Sequence, residues 1–140
     1  MVRIDYIKEN PIRKIDPPKP AKPILPSLTD EQVKYLITRA NCIRDKAIIS
    51  LFADSGMRLN ELGRIKSEDI DWESYTITIW GKGNKQRKAP FTESSSCLLK
   101  QVIVENGHGE NIWQLEVRGF QQMICRLNKE TNLPCNPHTF

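Results

Sequence analysis

Arg58 stands in the stretch Asp54-Ser-Gly-Met-Arg-Leu-Asn-Glu-Leu62, between the end of one apolar run and the start of another. A guanidinium is a planar donor fork that fits phosphate oxygens bidentately. The same stretch also offers Asp54 and Glu61, so an ordinary ion pair with either carboxylate is equally open from these residues alone. A second group of charges follows in Gly81-Lys-Gly-Asn-Lys85 and the next residues, where Lys82, Lys85, Arg87 and Lys88 fall within residues 81–91 without an acid among them. The Walker-type loop needs G-x-x-x-x-G-K-[ST] between a strand and a helix. Here no Ser or Thr follows the lysine and the next segment reads as a strand, which excludes nucleotide binding of that kind. A lysine-rich hairpin tip is shaped to reach along a nucleic-acid groove and neutralise phosphates; taken alone it reads equally well as a solvated turn. His138, behind Pro137, is by itself an exposed histidine.

Charge distribution sharpens this. The chain has 140 residues, enough for one domain with a real core, and a net charge of +4. Residues 1–22 carry +3 and residues 81–91 carry +4, while everything else is net negative at −3. Positive charge is thus confined to an N-terminal arm and one loop, which permits a polyanionic partner. Cys42, Cys97, Cys125 and Cys135 form no C-x-x-C pair and have no histidine at ligand spacing. Neither a zinc site nor a disulfide framework is expected, and a reducing cytoplasm is the natural setting. No apolar run approaches the ~20 residues of a membrane span, and no signal peptide opens the chain.

The elements that must position these groups begin after a linker. Six of the nine prolines lie in residues 11–26, in a Pro/Lys-rich run that favours extended polyproline II. Residues 1–27 therefore read as the end of an upstream domain plus a basic linker, with Lys19 and Lys22 as candidate DNA contacts, and residues 28–140 as the folded part. Thr29 with Gln32 has the pattern of a capping box, and Val33, Leu36, Ile37 and Ala40 give one apolar helical face. Residues 43–55 form the most apolar helix, expected to be the core helix and to end on Gly56, whose φ freedom suits a C-terminal cap. A short helix over 59–65 carries Asn60 and Glu61 in its first turn. Residues 67–69 read as a turn or cap.

From Tyr75 the period becomes alternating, with Tyr75, Ile77 and Ile79 on one face and Thr76, Thr78 and Trp80 on the other. Residues 81–85 supply turn chemistry and 87–91 return antiparallel, giving a hairpin with its charges at the tip. Pro90 marks the returning strand as an edge or as ending there. Helices are expected within 93–105 and near 118–131; in the second, Phe120, Met123, Ile124 and Leu127 form a core face. The fold class is α/β (α+β), mostly helical, with a small antiparallel sheet.

Taken in order, Ser55-Gly-Met-Arg-Leu-Asn-Glu-Leu62, then Ile79-Trp-Gly-Lys-Gly-Asn-Lys-Gln-Arg-Lys-Ala-Pro90, then Pro137-His138 closely resemble the catalytic domain of the tyrosine recombinases, the phage integrase family. The resemblance extends to the linker, to residues 28–32 and to Arg44-Asp-Lys-Ala47. It implies the DNA breaking-rejoining fold, incomplete here, and a parent enzyme that cuts and rejoins DNA through a 3′-phosphotyrosyl intermediate without cofactor or obligatory metal. By the same resemblance Arg58 is the first catalytic arginine, gripping the scissile phosphate, and Glu61 supports it. Lys82 is the general acid for the leaving 5′ oxygen, and His138 opens the His-x-x-Arg box. Lys82, Lys85, Arg87 and Lys88 would face double-stranded DNA.

The second arginine of that box and the tyrosine nucleophile do not occur in the sequence. Tyr6, Tyr35 and Tyr75 all precede the box; Tyr75 reads as a strand residue and Tyr35 as a helix residue. The expectation is a fragment that is inactive by itself, because covalent catalysis needs its nucleophile. The alternative is a noncatalytic DNA-binding or regulatory protein that keeps the recombinase scaffold. Family members assemble with sister protomers on DNA by exchanging C-terminal segments, and this chain is expected to be a monomer.

Overall fold

The computed structural model describes residues 27–107 and 110–135. Five helices and a three-stranded antiparallel sheet follow in the order α1 (Asp30–Arg39), α2 (Ile43–Ser55), α3 (Leu59–Gly63), β1 (Ile70–Asp71), β2 (Thr76–Trp80), β3 (Gln86–Pro90), α4 (Glu93–Asn106) and α5 (Val117–Thr131). A single 3-10 turn, Ser67–Asp69, leads from α3 into the sheet.

α1 begins as its sequence dictates. The Thr29 hydroxyl accepts from the Gln32 N–H, and the Gln32 side chain accepts from the Thr29 N–H, so two otherwise orphaned amide donors are satisfied. α2 is the centre of the core. Ala47, Ile48, Ile49, Leu51 and Phe52 are all buried, and the helix packs against α1, α4 and the strand β3. It stops at Gly56, whose φ of 60° is the left-handed cap that a side chain would resist. α5 presents Phe120, Met123, Ile124 and Leu127 to the core and packs on α3 and α1.

The sheet order is β1-β2-β3, with β3 at an edge, where Pro90 costs no ladder bond. Ile77 pairs with Ala89 and Ile79 with Arg87. Ile77, Ile79 and Ala89 are buried, which defines the inner face. Thr78 pairs with Lys88 and Trp80 with Gln86 on the outer face.

Four details differ from the sequence reading, the first being that α3 ends at Gly63 rather than at residue 65. β1 is an additional strand that periodicity misses, because two residues carry no period. The returning strand is Gln86–Pro90 rather than 87–91, since the Trp80–Gln86 pair closes the ladder one residue earlier. Tyr75 is not a strand residue: it sits at φ 51° in the turn before β2. Its ring stands edge-on to Phe91 at 5.7 Å, and its carbonyl accepts from the Phe91 N–H at 2.9 Å. That anchoring offsets a backbone conformation unfavourable for an aromatic residue.

No helix among the described residues is long and apolar enough to cross a membrane.

Candidate functional site: a basic cleft between the arginine helix and the hairpin

α2 and α3 are separated by Gly56, Met57 and Arg58 alone. Met57 is buried and pins this junction, while Arg58, the N-cap of α3, is extended at φ −76° and ψ 152° and exposed. Its backbone N–H donates to Glu61 Oε2 at 2.8 Å. A carboxylate three residues into a helix satisfies one of the first-turn donors and complements the helix dipole.

Neither carboxylate that the sequence offered to the Arg58 side chain is paired with it. Asp54 Oδ2 accepts from the backbone N–H and the hydroxyl of Thr92, each at 2.8 Å, and from the Ser95 hydroxyl. It is committed to fastening the end of α2 to the start of α4. Glu61 Oε2 accepts from Arg87 Nη2 at 2.6 Å as well as from the Arg58 amide. Among the described residues no carboxylate lies within ion-pair distance of the Arg58 guanidinium. The ordinary ion pair is thereby replaced by a guanidinium fixed at its backbone and open at its fork.

Arg58 lines a cleft of about 690 Å³ between α3, the 3-10 turn and β2, whose wall also includes the cations Arg64, Lys66 and Lys82, the carboxylates Glu61, Glu68 and Asp69, and Trp80. Lys82 lies at the hairpin tip, closed by a Gly81 N–H to Lys85 carbonyl bond of 2.7 Å. Gly83 and Asn84 take φ of 76° and 61° there, the left-handed region that glycine and asparagine adopt most readily. The structure thus brings Arg58, Glu61 and Lys82 to one cleft, although 24 positions separate the two cations in sequence.

The hairpin cations divide by position. Lys82 and Lys85 are at the tip, Lys88 is on the outer face opposite Thr78, and Arg87 is on the inner face opposite Ile79. Arg87, expected among the DNA-facing cations, donates from Nη2 to Glu61 Oε2 at 2.6 Å, with its side chain about half exposed. Lys19, Lys22 and His138 lie outside the described residues.

Arg64 and Lys66 were not singled out from the sequence, yet both face the cleft. Lys66 is only loosely held, 3.9 Å from Glu110 and 4.0 Å from Glu68, pairings worth little at exposed positions. A signal was present: Arg64 follows Asn60 by four residues and Glu61 by three, the spacing of neighbours on a helix surface.

A second ion pair lies on the far side of α2. Asp45 is 2% exposed and accepts from Arg126 Nη2 at 2.6 Å, with Arg44 Nε at 3.4 Å. It fixes the start of α2 to α5 and takes no part in the cleft. Among the described residues no group of three or more His, Cys, Asp or Glu side chains could hold a metal ion.

Residues 26–140 match the profile of the Phage integrase family. The chain belongs to that family. It is similar to the tyrosine recombinase XerC of Shewanella sp. (strain ANA-3), 32% identical across 99% of this chain and 51% of the relative. The integrase-family chain therefore spans about half the length of this curated relative. Its fold is that of the XerA recombinase crystal structure, with a TM-score of 0.73, 24% identity and coverage of 83% of this chain and 47% of that one. The XerH site-specific recombinase bound to its difH substrate gives a TM-score of 0.66 at 21% identity, covering 85% of this chain and 42% of that one.

Proposed function

We propose that this chain is part of a site-specific DNA recombinase, with residues 28–140 as the N-terminal part of its catalytic domain following a basic linker. The observation that carries the reading is the open Arg58 fork on the same cleft as Lys82. An incoming phosphodiester meets a bidentate donor on one wall and an ammonium proton donor on the other. The similarity to a tyrosine recombinase along nearly the whole chain, and the DNA held by XerH, support double-stranded DNA as the partner.

In the parent reaction a tyrosine oxygen from outside this chain's sequence attacks the scissile phosphorus. The P–O bond to the 5′ oxygen breaks, and Lys82 gives that oxygen its proton. Arg58 stabilises the charge that develops on the non-bridging oxygens, with His138 assisting at the same phosphate. Arg64 and Lys66 extend the electrostatic footprint, and Lys85 and Lys88 bind flanking backbone. Sister protomers complete the assembly on DNA, whereas the present chain is a monomer and inactive by itself.

The test is binding of the chain to a fluorescent duplex of about 30 base pairs, titrated at several salt concentrations. Removing one cation–phosphate interaction lowers the slope of log K against log [salt] by about 0.9. Lys82→Gln and Arg58→Gln should each weaken binding and flatten that slope. Binding that is unchanged in the double variant would refute the cleft as a phosphate site. A nicked suicide duplex should give no covalent adduct with this chain, and an adduct would overturn its assigned inactivity.

A further inference from the structure

Glu61 lines the cleft that receives the phosphate, and an anion there repels the very group the cleft is built to bind. Its side chain is 11% exposed, and one oxygen, Oε2, takes both the Arg58 amide and the Arg87 guanidinium. Arg58 lines the cleft, and Arg87 stands beside it on β3, paired with the lining residue Ile79. Arg58 caps the helix that presents the open fork. Arg87 sits on β3, two residues from the buried Ala89, with its side chain on the inner face set by the Ile79–Arg87 pair.

We propose that Arg87 is a positioning residue: through Glu61 it ties the base of the β2–β3 hairpin to the Arg58 end of α3, and it neutralises Glu61 within the phosphate cleft. The proposal rests on the recombinase reading of the cleft. Three features distinguish Arg87 from the hairpin lysines. It is on the opposite face from Lys88, its guanidinium has a charged partner at 2.6 Å, and no ion pair among the described residues engages Lys82, Lys85 or Lys88. The clamp is below the tip. Lys82 and Lys85 flank Gly83 and Asn84 at a tip closed by the Gly81–Lys85 bond, whereas the Arg87–Glu61 contact registers the hairpin base to Arg58. Turning the Arg87 guanidinium away from Glu61 would leave that carboxylate with the Arg58 amide and without a cation, so the Arg87–Glu61 pair favours the inner-face position over a phosphate contact.

The experiment uses the chain as it stands, labelled with ¹⁵N, and follows amide exchange without DNA and duplex binding against salt. Variants are Arg87→Gln, Arg87→Lys and, as a tip control, Lys85→Gln. Arg87→Gln should speed exchange of the Arg58 amide by about fivefold, since its acceptor loses the partner that holds it in place. Arg87→Lys should restore much of the protection, Lys85→Gln should leave it untouched, and the Leu36 amide in α1 should be unchanged in all three. On DNA, Lys85→Gln should flatten the salt slope by about 0.9 and Arg87→Gln should not. Unchanged Arg58 exchange in Arg87→Gln, or a slope loss matching that of Lys85→Gln, would overturn the proposal. If the unaltered chain fails to bind duplex DNA, the recombinase reading falls, while the exchange measurement still decides whether Arg87 holds Arg58 through Glu61.

Discussion

Replacing Trp113 by Phe tests how the arginine helix is supported from beneath. Trp113 is fully buried; its indole Nε1–H donates to the Leu62 carbonyl at 2.8 Å, near the end of α3, and its ring stands edge-on to Phe120 of α5 at 6.4 Å. The substitution removes one hydrogen bond, worth about 1 kcal/mol net. The Leu62 carbonyl still accepts from the Ile65 N–H at 3.3 Å, so it is not orphaned and no full desolvation penalty is added. Two buried apolar ring carbons are removed as well, at roughly 0.8 kcal/mol each, with incomplete collapse adding a little. Together these give about 2.5 kcal/mol. For the 113 residues of the folded part, 28–140, the unfolding entropy is about 0.24 kcal/mol per kelvin, so the loss corresponds to a Tm lower by about 10 °C. Thermal unfolding followed by circular dichroism reads this directly. A fall of less than about 3 °C would refute the reasoning, because the hydrogen bond and the ring packing could not then both be contributing.

Two further outcomes concern the scaffold. Ser95 is fully buried and its hydroxyl joins Ser50 of α2 to Asp54, so Ser95→Ala should leave the Ser50 hydroxyl without that partner and cost about 1–2 kcal/mol, read as a lower urea midpoint at constant m; an unchanged midpoint would contradict the α2–α4 fastening. The Asp71 carboxyl is held below its ordinary value by the Ser74 side chain first, then by the Ser74 and Glu73 amides, whose bonds measure 3.2 and 3.0 Å. A depressed carboxylate contributes stability that is present above the unfolded value near pH 4 and is lost as pH falls through the folded one. Asp71→Asn should therefore remove part of the Tm decline below about pH 4 and leave the slope at neutral pH alone; an unaltered acid limb would speak against that turn.

Much of the fold is legible in the chain because the signals are local. The Thr29–Gln32 box, the Gly56 stop and the α5 core face each depend on residues within one or two turns of one another, where spacing alone fixes geometry. The hairpin is legible for the same reason, from the alternation of 75–80 and the turn chemistry of 81–85. β1 is not, being too short to show a period. Tyr75 shows alternation but takes a left-handed φ, because its position is set by Phe91, sixteen residues away, rather than by its neighbours.

The candidate site divides in the same way. The sequence by itself determined which groups could do chemistry: Arg58 at a helix junction, Lys82 in a glycine-rich hairpin, and an order of motifs that matches the phage integrase family. It could not determine how the charges were spent, since an ion pair depends on distance in space. Asp54 is taken by Thr92 and Ser95 across about 40 positions, and Glu61 by Arg87 across 26. Only the tertiary structure removed both carboxylates from the Arg58 guanidinium, and only it split the hairpin cations between an inner clamp and an outer, open set. The physical reason is that backbone pattern fixes which face a side chain takes, whereas packing of distant elements decides which partner waits on that face.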